Sequence, residues 1–181
     1  MKFPLILGLL LTTSIFSLFA QTEEQVNYSV TFTVGNMGGS VEGSFSDLSG
    51  TVSFDPANPQ AAVFEVSVDA TTIKTGVGMR DRHLRGKDFF AVKDFPSIRF
   101  TATETRTTDT GFETIGTLTL KGQDSTITIP FTVEEVAGKK VIQGSFSVDR
   151  KAFGIGKGYG NWMIGEAVTI QLRYQIGEAS Y

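Results

Sequence analysis

Apolar and polar residues alternate with a period of two along most of this chain. Val26, Tyr28, Val30, Phe32 and Val34 interleave with Asn27, Ser29, Thr31 and Thr33. The same beat returns at Leu48, Val52 and Phe54, and at Ala62, Phe64, Val66, Val68 and Ala70. It continues through Ile98, Phe100 and Ala102, through Leu118 and Leu120, and through Ile127, Ile129, Phe131 and Val133. The last runs are Ile142, Phe146 and Val148, then Val168, Ile170, Leu172, Tyr174 and Ile176. Side chains on a strand point to opposite faces in turn, so this pattern predicts antiparallel strands with one apolar and one wet face. Turn sequences separate the runs: NMGG (36–39), DPANP (55–59), DTG (109–111), GQDS (122–125) and AGKK (137–140). Eight or nine strands that all turn their apolar faces the same way favour closure, because closure removes exposed edges. The expected fold is all-β: a single extended antiparallel β-barrel of about eight strands.

Two segments break the alternation. In MRDRHLRGKDFF (79–90), Met79, His83, Leu84 and Lys87 stand at helical offsets, which predicts a short helical segment near residues 76–92. The other is FGIGKGYGNW (153–162), read as a flexible glycine-rich rim loop. No linker, low-complexity tract or second domain interrupts the pattern.

Composition narrows the picture further. The chain has 181 residues, 20 of them Gly and 15 Phe, which suits a β-rich globular domain. Residues 1–20 combine Lys2, an apolar stretch and a small residue at Ala20, as in a Sec-type signal peptide cut after Ala20. That leaves residues 21–181 as the mature domain, in the periplasm or outside the cell, without a stable membrane anchor. Removing Lys2 from 16 basic residues leaves 15 against 19 acidic ones, a net charge of −4. A mildly acidic chain has no general attraction for nucleic acid. The absence of cysteine excludes disulfides, thiolate zinc sites and lipid attachment through an N-terminal Cys.

Candidate chemistry is sparse. His83 is the only histidine, no G-x-S-x-G elbow surrounds a serine, and His83 sits among arginines that disfavour an imidazolium. No calcium loop or ligand cluster appears, so no metal or cofactor is expected. GIGKGYG (154–160) lacks the Ser or Thr and the following helix of a phosphate loop. NYS at Asn27 matches a glycosylation sequon only by its three residues. What remains is the phenylalanine load on the apolar phase. It either fills the barrel or lines an apolar ligand cavity, and period alone leaves both readings open.

Five segments stand out across the chain: FTVGNMGGSVEGSFSDLSGTVSFDP (32–56), RDRHLRGKDFFAVKDFPSIRF (80–100), GTLTLKG (116–122), DRKAFGIG (149–156) and EAVTIQL (166–172). Together they resemble the YceI family of secreted, lipocalin-like polyisoprenoid-binding proteins. Asn36 and Lys121 depart from the family, which commonly carries histidines there, so no role resting on those histidines is carried over. The resemblance implies a non-catalytic barrel with an apolar tunnel for an isoprenoid or quinone-type lipid. The tunnel residues expected are Phe32, Val34, Phe45, Phe54, Phe64 and Val66, with Phe100, Leu118, Phe131, Phe146, Trp162 and Ile170. Arg80, Asp81, His83, Leu84, Phe89 and Phe90 are expected to form a lid at one barrel end, its charges facing water and pairing locally. Whether the lid is a gate or a fixed plug stays open, as does a homodimer. The alternatives are an enzyme using His83 as acid or base at the barrel mouth, and a structural barrel with a filled core.

Overall fold

The structure is a computed structural model that describes residues 28–176. The expected signal peptide and the Asn27 sequon lie outside the described residues. Nine strands follow one another: β1 (Tyr28–Asn36), β2 (Gly39–Phe45), β3 (Ser49–Ser53), β4 (Val63–Asp69), β5 (Ser97–Thr108), β6 (Gly111–Leu120), β7 (Gln123–Val136), β8 (Lys139–Asp149) and β9 (Ile164–Gln175). The helix α1 (Gly78–Leu84) lies between β4 and β5. The strands make one antiparallel sheet in the order β2-β1-β9-β8-β7-β6-β5-β4-β3. It curls into a half-barrel.

Nine strands form, within the eight or nine expected, and the stretch 39–53 supplies two of them. Asp47, at φ +59, breaks it between β2, which pairs with β1, and β3, which pairs with β4. The two terminal strands of the sheet do not pair with each other. Instead Ser44 on β2 exchanges backbone hydrogen bonds with Lys74, at 2.9 and 3.0 Å. The segment before α1 thus covers the β2 edge, and the opposite edge is only five residues long, so neither offers a long template for foreign strands. Gly43 makes this seam possible. A Cβ there would stand 2.3 Å from the Phe32 ring and 2.9 Å from the Lys74 carbonyl.

Register assigns the loops to two ends. Asn36 opposite Ile164, Leu120 opposite Gln123 and Asp69 opposite Ser97 mark one end. α1 and the loop joining β8 to β9 sit there, and we call it the lid end. Thr108 opposite Gly111 and Val136 opposite Lys139 mark the far end. Near the far end the interior is packed with aromatic rings. Phe54 meets Phe64, Phe112 and Phe131 at centroid separations of 4.9–6.1 Å, mostly edge to face.

Candidate functional site

Between that aromatic floor and the lid the barrel is hollow. A cavity of about 200 Å³ lies under α1, walled by residues of all nine strands' inner phase except β3 and by Leu84, Phe89 and Phe90 from the lid segment. A second, of about 100 Å³, lies deeper, toward the aromatic floor, with Phe64 and Phe131 in its wall. Val30, Leu48, Val66, Phe100, Ile129 and Leu172 belong to both, so the two cavities are successive chambers sharing a waist. The only polar residues in the larger wall are Ser67, Arg99 and Arg150.

Phe32, Val34, Phe45, Val66, Phe100, Leu118, Phe146 and Ile170 all border the larger chamber, as the alternation of their strands requires. Phe64 and Phe131 border the smaller one. Phe54 is buried but reaches neither chamber, because its ring is spent on the aromatic floor. Trp162 is a correction: it is 73% exposed on the β8–β9 loop. It belongs to no strand, so no alternating phase turns it inward. Val30, Leu48 and Leu172 carry the apolar phase in the sequence and complete the waist.

The lid is a second correction. Its charges do not simply face water and pair with one another. Asp81 is buried and accepts hydrogen bonds from the Thr75 backbone N–H at 2.8 Å and from its hydroxyl at 2.5 Å. The Thr75 hydroxyl bond, then its amide and the nearby Arg85 and Arg80, hold this carboxyl below its ordinary pKa of 3.8 against the opposing effect of burial. Arg80 donates to the Thr75 hydroxyl and carbonyl, and Arg85 donates to the carbonyls of Thr71 and Ile73. These side chains replace the missing strand partners of an irregular segment. Leu84 and Phe90 then hang into the barrel, with Phe90 edge-on to Phe45 at 5.6 Å.

Arg150 explains how the glycine-rich loop is held. Its guanidinium is buried, and all five N–H groups donate to backbone carbonyls, those of Gly165, Ile155, Gly156, Tyr159 and Ile164, at 2.7–3.0 Å. The fork of Arg gives five fixed donors, enough to gather a loop that no strand can pair. Gly156, at φ +56, lets the loop pass between Arg150 and the Phe89 ring, where a Cβ would sit 2.9 Å from that ring. The loop is pinned to the lid as well. The Gly156 N–H donates to the Asp88 carbonyl at 2.7 Å, and Lys121 Nζ donates to the carbonyls of Lys87 and Gly154. Burial is the main cause that lowers the Lys121 pKa, with Lys157 adding to it and Asp88 opposing.

His83 lies outside both chambers. It is exposed, its Nε2 is 3.3 Å from the Tyr159 hydroxyl, and its ring meets Phe89 edge-on at 5.0 Å. Among the described residues no three of His, Asp and Glu converge as metal ligands. No described helix is long and apolar enough to cross a membrane.

A curled antiparallel barrel over a two-chamber apolar interior, capped by one short helix, defines a lipocalin-like architecture. The chain belongs to the YceI-like domain family, whose model matches residues 22–176. A UPF0312 protein of Yersinia pestis is 40% identical over 92 residues, which is 51% of this chain and 46% of that protein. The match thus spans about half the length of such relatives. The crystal structure of Burkholderia cenocepacia BcnA superposes with a TM-score of 0.75 at 26% identity, covering 83% of this chain and 96% of that one. A domain from Saccharophagus degradans, described as a polyisoprenoid-binding domain implicated in plant cell wall breakdown, gives a TM-score of 0.63 at 15% identity, over 83% of this chain and 94% of that one. At that identity it speaks for the fold alone.

Proposed function

We infer that this protein is a non-catalytic carrier that holds a long uncharged lipid chain, a polyprenyl or quinone tail, in the two chambers, working in the periplasm or outside the cell. The observation that carries this reading is the state of Arg150. It is the one buried cation in the chamber wall, and all five of its donors are already committed to the backbone. Arg99 and Arg173 also border the chambers, but each stands on the outward phase of its strand between inward apolar neighbours, so the interior offers mainly surface for hydrocarbon. Each methylene-sized unit transferred there is worth about 0.8 kcal/mol, so length alone builds affinity. The YceI family and the polyisoprenoid-binding description of the Saccharophagus domain support the same class of ligand. The position of His83 outside the walls speaks against chemistry on that chain.

Native mass spectrometry of protein purified from its host tests this. The expected spectrum carries an adduct that organic extraction identifies as a prenyl lipid, equally in the wild type and in His83→Ala. Empty protein in repeated preparations removes the carrier reading. Loss of a turnover product in His83→Ala, with occupancy intact, replaces it with the enzyme.

A further inference from the structure

The lid end differs from the rest of the surface in two independent ways. The first is apolar exposure. Met79 is 81% exposed, Trp162 73% and Met37 67%, the three most exposed large apolar residues among those described, and all three sit at this end. They are structurally linked. The Met37 N–H donates to the Met163 carbonyl beside Trp162, and Tyr159 of the same loop touches His83 of α1. The second is charge. Lys74, Arg82, Lys87, Lys93 and Lys157 are exposed here, and among the described residues no carboxylate lies within ion-pair distance of any of them. The acids at this end (Asp69, Asp81, Asp88, Asp94, Asp124, Asp149 and Glu166) keep their charge but are outnumbered by its basic residues, which besides those five include Arg80, Arg85, Lys121, Arg150 and Lys151. At the far end exposed Asp55, Glu104, Asp109, Glu134 and Glu135 outnumber the exposed cations Arg106 and Lys140. A chain of net charge −3 is thus polarised along its barrel axis.

We propose that the lid end is a docking face for an anionic lipid bilayer, with Trp162, Met79 and Met37 entering the headgroup region and the unpaired cations lying over the anionic lipids. Indole and thioether side chains on a rim suit an interface that is apolar below and wet above. Lysines and arginines near an anionic leaflet each contribute about 1 kcal/mol, roughly a five-fold change in affinity. The larger chamber lies beneath this same end, with Leu84, Phe89 and Phe90 in its wall. The inference goes beyond the carrier reading and does not depend on it, because docking concerns the outer surface of the emptied protein.

Trp162 is the only tryptophan, so its fluorescence reports contact directly. Delipidated protein is mixed with vesicles of phosphatidylcholine alone or of phosphatidylcholine with phosphatidylglycerol. The expected result is a blue shift of emission and cosedimentation with the anionic vesicles, both weakened by salt. The double variant Arg82→Gln, Lys87→Gln should bind about twenty-five-fold more weakly. Trp162→Ala and Met79→Ser should reduce cosedimentation, and Val136→Ser at the far end should leave it unchanged. No blue shift and no cosedimentation with the anionic vesicles overturns the proposal. So does equal binding to both vesicle types that ignores the charge variant. A blue shift that follows protein concentration without vesicles assigns the face to a second copy of this chain instead.

Discussion

Phe100 stands at the waist where both chambers share a wall, buried on β5 opposite Leu118. A lipid chain running through the interior must pass its ring. Phe100→Gln places an unpaired amide against hydrocarbon, which costs roughly 1–3 kcal/mol and weakens prenyl-lipid binding about ten-fold per 1.4 kcal/mol. Arg82 is exposed on the outer face of α1 and touches neither chamber, so Arg82→Gln should leave equilibrium binding of a detergent-solubilised lipid unchanged. Titration of the two delipidated variants, each first shown by circular dichroism to be folded, checks the pair. Binding lost in Arg82→Gln and kept in Phe100→Gln would place the site on the lid surface. Phe100 was readable from the sequence because a strand's period of two fixes its face without any knowledge of neighbours. Trp162 was not, since a residue in a loop has no phase to read.

At the scale of elements, the strands need little explanation beyond alternation, whereas the two irregular segments depend on single polar residues. Arg150 fastens the loop from β8 to β9 through carbonyls that lie 5 to 15 positions along the chain. Arg150→Leu leaves those buried acceptors without donors and should cost roughly 3–5 kcal/mol, at the upper end for one substitution. Arg150→Lys should recover little, because an ammonium cannot reproduce the planar fork. Urea midpoints give the loss, and hydrogen exchange at 153–165 shows whether it is local. Little change in either would mean that the loop is held by its own turns. Asp81 plays the matching part for α1, and its depressed pKa fixes the sign of its pH effect. The folded value lies below 3.8, so the carboxylate's stabilisation is complete above 3.8 and fades as pH falls through the folded value. Unfolding curves of wild type and Asp81→Asn should therefore be furthest apart near neutrality and converge below 3.8. A gap that widens on acidification would refute the assignment. The helix itself was legible from its offsets. The role of Asp81 was not, because its partner Thr75 lies outside the helical run and the bond forms only once the chain bends back.

For the whole molecule, the choice between a carrier and a structural barrel turns on what the interior does to stability. The far end is solid with Phe54, Phe64, Phe112 and Phe131, so the fold has a core that does not rely on ligand. Between that core and the lid lie chambers of about 200 and 100 Å³ whose lining lacks partner atoms when empty. Emptied protein should consequently stay folded but melt lower than loaded protein. With ligand at about a hundred times its Kd, mass action adds about 2.7 kcal/mol. For a domain of this size that raises Tm by about 5–10 °C. The experiment is calorimetry on host-purified, solvent-extracted and re-lipidated samples at one protein concentration. Recovery of the loaded Tm on adding a long prenyl chain, with little effect from a short one, is the carrier's expected behaviour, because affinity accrues per methylene along the chambers. A Tm indifferent to extraction and to chain length would make the hollow beneath the lid a packing defect of a structural barrel.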